Sequence, residues 1–191
     1  MTVEPLDLTG PERPTTLSEL RAFLAEDRAE RARGGHGPEP LPGWVALRAF
    51  RLGQYLWVAR GPVASALRPL WKLIDFLWVR LLLGSEMNPD VPVGPGLVLP
   101  GGARRVQFPS GSAYGSRVTV NNGSCLGGKQ PRPRIGDDVV LWSDCFVVRG
   151  ATVGRGAHVG PWAIVMKDVP AGGRVLGIPA TALPEGEDFD F

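Results

Sequence analysis

Residues 135–170 read IGDDVVLWSDCFVVRGATVGRGAHVGPWAIVMKDVP and divide into six hexads without remainder. The first position of each is Ile135, Leu141, Val147, Val153, Val159 and Val165, aliphatic every time. The fifth is Val139, Cys145, Ala151, Ala157, Ala163 and Val169, small or β-branched every time. Neither a helix nor an alternating strand has a period of six. A solenoid does, when each hexad is a short strand plus a turn and three hexads close one triangular coil. The first position is then predicted to point into the core, and the fifth to sit at a corner too narrow for a large side chain. Gly136, Gly154 and Gly160, at the second position, fit a tight turn.

The frame extends upstream. MNPDVP, VGPGLV and LPGGAR put Met87, Val93 and Leu99 inside, with Val91, Leu97 and Ala103 at the fifth position. It slips by three near Arg104–Gln107 and resumes at Phe108 through Leu126. A polar loop, KQPRPR (129–134), precedes the regular run. The expectation is a mainly β chain, a parallel β-helix of roughly four coils over 85–184.

The first 84 residues read differently. Residues 1–43 are expected to form a mobile arm with one short helix and a linker. Thr16-Leu17-Ser18-Glu19 is a capping box that opens the helix. GGHGPEPLPG (34–43) is a linker by composition and carries His36. Residues 44–84 form a helical region broken at Gly61-Pro62, with Pro69 expected to kink its second part or start a new helix. Leu70, Leu73, Ile74, Leu77 and Leu81 fall on one helical face, read as a buried packing face. Lys72, Asp75 and Arg80 argue against a transmembrane span and leave peripheral membrane contact through 44–83 as the lesser alternative.

Residues 41–184 carry 16 Lys and Arg against 7 Asp and Glu, and the acidic excess sits in the N-terminal arm and the 185–191 tail. A basic body suits anionic small molecules, but no basic run is long enough for a nucleic-acid tract. Two cysteines, Cys125 and Cys145, make no disulfide framework. With an N-terminus lacking an apolar leader core, they point to a cytoplasmic setting. Cys145 fills a small fifth position and reads as a buried structural thiol.

LGGKQPRPRIGDDV, then VGRGAHVGPWAIVMKDVPAGGRVLGIPA, resembles the closing run of the serine acetyltransferases and related sugar O-acetyltransferases. Lys167-Asp168-Val169-Pro170 and Gly177-Ile178-Pro179-Ala180 carry the likeness, which covers about 45–182. The resemblance implies a left-handed coil, a homotrimer, and acetyl-CoA or another acyl-CoA as co-substrate without a metal. It implies transfer to a hydroxyl or amine of a small acceptor such as serine or a sugar.

The family's general base is a histidine in a segment resembling G-L-x-L-x-H-x-x-G. Here Gly96-Leu97-Val98-Leu99-Pro100-Gly101-Gly102 stands in its place, so the histidine position is Gly101, or Gly102 with a different gap. A second family histidine is replaced at Arg132-Pro133. Glycine cannot accept a proton, so substitute bases are His158 or Asp144, or orientation alone drives transfer. Asn121 and Asn122 read either as polar groove residues or as left-handed turn asparagines beside Gly123. With Arg132 they are the acceptor-site candidates. Gly127, Gly128, Trp142, Ala163, Lys167 and Arg174 are the CoA-site candidates, and Arg149 and Arg155 further phosphate partners. Trp162, like Trp142, replaces a small turn residue and could stack a ring, obstruct the groove or bury at a trimer contact. The alternative to an enzyme is a catalytically inactive homologue serving as a trimeric scaffold or regulatory subunit.

Overall fold

The structure, a computed structural model, describes residues 13–127 and 131–184. Most of the N-terminal arm before Thr15, Gly128 and the acidic tail lie outside the described residues. The hexads form a parallel β-solenoid of three sheets. Sheet I stacks Glu86–Met87, Gln107–Phe108, Cys125–Leu126, Phe146–Val147 and Ile164–Val165. Sheet II stacks Ala113–Tyr114, Arg134–Ile135 and Thr152–Val153, extended by single bridges at Val93 and Val169. Sheet III stacks Thr119–Val120, Val140–Leu141, His158–Val159 and Arg174–Leu176. Val98 bridges to Thr119, and Thr181–Ala182 turns back antiparallel on Arg174–Leu176. The coils number five where the sequence suggested roughly four. The first coil completes its sheets only with isolated bridges at Val93 and Val98, so it is harder to recognise.

The hexad frame is the core. Ile135, Leu141, Val147, Val153, Val159 and Val165 are all buried, as are the six fifth-position side chains. The turn glycines are a different matter. Left-handed backbone falls at the fourth position, at Gly96, Gly102, Gly111, Arg117, Gly123, Asp138, Asp144, Gly150, Gly156 and Trp162. The second-position glycines serve coil-to-coil approach instead. A Cβ on Gly136 would stand 2.9 Å from Arg155 N, and one on Gly154 would stand 2.5 Å from Ala171 N. Gly94 and Gly115 face the next coil in the same way.

Helices α1 (Leu17–Arg33), α2 (Leu41–Val58) and α3 (Pro62–Ile74) precede the solenoid, and α3 continues as a π-helix over Asp75–Leu82. The helix runs unbroken through Pro69, and the departure from α geometry comes later, from Asp75. Helix α2 starts at Leu41, inside the expected linker. Its Ala46, Ala49 and Phe50 join the core, with the Phe50 ring 5.4 Å from that of Phe108. The helices thus close the end of the prism, where first-coil backbone has no preceding coil to pair with.

Arg51 does much of that pairing from full burial. It donates to both carboxylate oxygens of Asp27, at 2.9 and 2.8 Å, to Gln54 Oε1 at 2.8 Å, and to the carbonyls of Val93 and Gly94 at 2.7 and 2.8 Å. Asp27 accepts from the amides of Gly96 and Leu97, and Gln54 donates to the Val91 carbonyl. Helix α1 is therefore no loose appendage. Its Asp27, on the charged stretch beyond the apolar turns, is pinned to the solenoid edge.

One expectation is reversed. Leu70, Leu73, Ile74, Leu77 and Leu81 share a face, but that face is exposed in the single chain, Leu81 at 70%. No helix among the described residues is long and apolar enough to cross a membrane.

Candidate functional site

The corners of the solenoid stack into three edges, and the candidate residues sort among them. The edge between sheets III and I gathers Gly101, Asn121, Asn122, Trp142, Asp144 and Trp162 from four successive coils. A spacing of 18 or 21 residues brings each coil's corner over the last, so these positions, scattered in sequence, form one column. The edge between sheets I and II carries Gly127, Arg132, Arg149 and Lys167. His158 and Arg174 stand in register with one another on sheet III itself.

At Gly101 the packing leaves no room for a side chain. A Cβ there would overlap the Asn122 amide, well inside the 3.0 Å that real Cβ atoms keep. Asn122 Oδ1 accepts from the Arg104 amide at 3.1 Å, which holds its side chain across the gap. The neighbouring Gly102, at φ +78°, meets the start of α2, where a Cβ on Gly43 would stand 2.7 Å from Gly102 Cα. Gly101 therefore has a packing reason, the side chain laid over it, Gly102 a backbone one, its left-handed conformation, and the close approach of α2 is what requires glycine at Gly43. Neither asparagine is left-handed; Gly123 takes that role, at φ +74°. Asn121 donates from Nδ2 to the Leu141 carbonyl at 3.1 Å.

Asp144 occupies a left-handed corner and pairs with the Arg105 guanidinium. Trp162 is 65% exposed at φ +60°, a conformation that a bulky side chain adopts only at a cost. Trp142, one coil below, is half-buried. Ala163 is fully buried, so its side chain belongs to the core and only its backbone approaches the edge.

His158 is half-buried, between Val140 and Arg174 across the sheet. Cys145 is buried, and burial pushes its thiol up to about 12. Burial also raises Cys125, which donates to Gln107 Oε1. Neither is an activated thiol. Arg155 is engaged at the third edge with Asp137 at 2.9 Å, beside an Arg117–Asp138 pair, so it supports coil stacking there.

Sequence reading missed a cleft of about 340 Å³ between α1, the 36–39 segment, α2 and the first-coil strand at Leu97–Leu99. Arg28, Arg31, Arg48, His36 and Glu39 line it, and Arg48 lies 3.8 Å over the Trp44 ring. Burial raises the Glu39 carboxyl, opposed by Arg31 and Arg48. His36 thus belongs to a formed cleft and not to a free linker. Its Gly- and Pro-rich surroundings, and its separation in sequence from Arg48 and Leu99, hid this.

No family model matches the chain. Among curated proteins it is similar to serine acetyltransferase 4 of Arabidopsis thaliana, 31% identical over 73% of this chain and 39% of that protein. It is similar also to the serine acetyltransferase of Mycobacterium tuberculosis, 27% identical over 88% of this chain and 75% of that one. The chain thus spans about two fifths of the plant relative's length. Solved structures of the same fold include Neisseria gonorrhoeae serine acetyltransferase, with TM-score 0.73 and 20% identity over 91% of this chain and 70% of that one. A serine acetyltransferase in complex with CoA gives TM-score 0.73 at 20% identity, over 87% and 71%. The soybean enzyme complexed with serine gives 0.71 at 24%, over 87% and 70%. The chain is a hexapeptide-repeat protein of serine-acetyltransferase-like fold.

Proposed function

We propose that this protein is a CoA-dependent acetyltransferase whose acceptor is the hydroxyl of serine or a similarly small molecule, and that it works without the family's histidine. The observation that carries the reading is the sequence likeness to serine acetyltransferases, which extends over 88% of the chain and so includes the capping helices as well as the repeat. The relatives crystallised with serine and with CoA support the choice of ligands.

In the reaction, the acceptor oxygen attacks the thioester carbonyl carbon. The new C–O bond forms as the C–S bond breaks, and the hydroxyl proton ends on the departing CoA sulfur. Holding the two reactants in line can remove several kcal/mol of the barrier, on the order of 7–11 in well-oriented systems, before any base is added. Asn121 and Asn122 offer amides for orienting the acceptor or the developing oxyanion. Trp142 and Trp162 offer flat surfaces for an adenine or pantetheine arm.

The cationic candidates Lys167 and Arg132 lie on a different edge from this column. One prism cannot bring two of its edges together, so a shared CoA groove needs edges from two copies. This supports a homotrimer with the groove between neighbours.

The remodelling at Gly101 favours a second reading, an inactive trimeric homologue that keeps the fold and loses turnover. Calorimetry with acetyl-CoA and a free-thiol assay with serine and sugar acceptors separate the two. Acetyl-CoA binding with acceptor-dependent thiol release is the expected result. Binding without release would establish the scaffold reading, and absence of binding would overturn both ligand assignments.

A further inference from the structure

The continuous helix from Pro62 to Leu82 is seated on one side and open on another. Ala64, Asp75 and Val79 are buried on its seated side, where Trp71 Nε1 donates to the Ala49 carbonyl at 2.7 Å. On the open side stand Val63, Leu67, Leu70, Ile74, Leu77 and Leu81, between 38% and 71% exposed. A spacing of four, three and four residues keeps Val63, Leu67, Leu70 and Ile74 in one stripe along the α-helical turns, and Leu77 and Leu81, with Phe76 and Leu82, continue the exposed apolar surface along the π-helix. Contiguous apolar surface of this extent is rare on a protein that stays free in water.

The charges on the same segment decide what covers it. Residues 59–82 carry Arg60, Arg68, Lys72 and Arg80 against a single acid, Asp75. That acid is buried and bonded to Arg80 at 2.8 Å, so it offers no outward negative charge. A second copy laid on this face would bring the same excess of cations, with Glu86 beside Arg80 as the exposed acid at the helix's far end and none facing Arg60, Arg68 or Lys72 from the helix itself. A surface of anionic headgroups over an acyl layer matches both features, apolar stripe and basic flank. Trp57, exposed at the end of α2 just before this helix, is a residue type that settles at such a boundary.

We infer that the Pro62–Leu82 helix docks the protein onto an anionic lipid surface, lying in the membrane plane with its leucine stripe in the headgroup–acyl boundary. The inference stands apart from the acetyltransferase reading, because it uses none of the edge residues.

The test is co-sedimentation of the full chain with phosphatidylcholine vesicles, with and without phosphatidylglycerol, at low and high salt. The expected result is binding at least about tenfold stronger to the anionic vesicles and weakened by salt. Leu70→Glu with Leu77→Glu should abolish it while leaving the melting temperature and circular dichroism unchanged, since both side chains are already exposed. Lys72→Glu should weaken it only in part. Three outcomes overturn the inference. One is no anionic-vesicle binding at low salt. Another is vesicle binding indifferent to the leucine variants. The third is a leucine variant that splits a larger assembly in light scattering, which would assign the face to a second copy.

Discussion

Inside the solenoid every strand is hydrogen-bonded to the coil on each side, and its inward side chains repeat one chemistry at every hexad. The N-terminal rim of the first coil has a neighbour on one side only, and the cap over it repeats nothing. The interior is held by Ile135, Leu141, Val147 and their stacked equivalents, all apolar. The rim is held by Arg51, Asp27 and Gln54, which bond to backbone from Val91 to Leu97. The contrast shows that ending a parallel stack is a different physical task from extending it. Extension needs area removed from water. Termination needs donors and acceptors for a row of unpaired backbone groups, and apolar side chains supply none.

The largest expected effect follows at the rim. Arg51→Met should cost about 3–5 kcal/mol, because it leaves Asp27 charged and buried without its partner and strips the Val93 and Gly94 carbonyls. Chemical denaturation measures it. A loss under about 1 kcal/mol would show that the rim groups find water when the guanidinium is gone, and the contrast with the interior would collapse. The companion change in the interior is Ala157→Leu at a fully buried fifth position. Overpacking there should cost about 1–3 kcal/mol, less than the rim change. Equal or greater loss at Ala157 would reverse the ranking of the two regions.

The same contrast explains what could be read from sequence. The hexads were legible because each position repeats one environment, and all twelve first- and fifth-position residues of 135–170 are buried. Asp27 was not legible. On a helix rich in Glu and Arg, nothing local separates the one acid that turns inward from those that stay in water. The stripe at Leu70–Leu81 was legible as a face, but periodicity reports which residues lie together and not what lies opposite. The edge column was half legible. Gly101 and Trp162 stood out as departures from the family pattern, Asn122 as a groove or turn residue and Asp144 as a substitute base, and a fixed coil length stacks all four on one corner. That Asn122 fills the space over Gly101 depends on rotamer and backbone geometry, which no spacing encodes. His36 and Glu39 were passed over because a Gly- and Pro-rich composition reads as linker.

At the site, restoring the family residue needs more than one change. Gly101→His alone should destabilise the edge, because its Cβ meets the Asn122 amide. Paired with Asn122→Gly, the histidine has room, and a rise in acetyl transfer would show that the groove was intact. If the single variant were as stable as the wild type, the packing reason given for Gly101 would fail. His158→Ala is the complementary test. His158 lies on sheet III and not in the edge column, so its loss should lower kcat/KM less than about tenfold, under ~1.4 kcal/mol of barrier. A loss of about a thousandfold in a variant with unchanged assembly would mean that a neighbouring copy brings this imidazole to the acceptor.

The smallest effect belongs to Trp162, where fold and site make opposite demands. Every other fourth-position residue in the left-handed conformation is Gly, Asp or Arg, and Trp162 is the bulkiest side chain among them. Holding such a residue at φ +60° costs about 1 kcal/mol. At 65% exposure the indole recovers little of that by burial within one chain. Trp162→Asn should therefore raise stability slightly, by about 0.5–1 kcal/mol, since asparagine tolerates this backbone. Trp162→Ala keeps a Cβ in the same conformation and should gain less, so the difference between the two variants isolates the backbone term. If the ring serves acyl-CoA, both variants should bind acetyl-CoA several-fold more weakly while melting no lower. A Trp162→Asn protein less stable than the wild type by more than about 1 kcal/mol, and dissociated in light scattering, would place the ring in a contact between copies and not over the ligand.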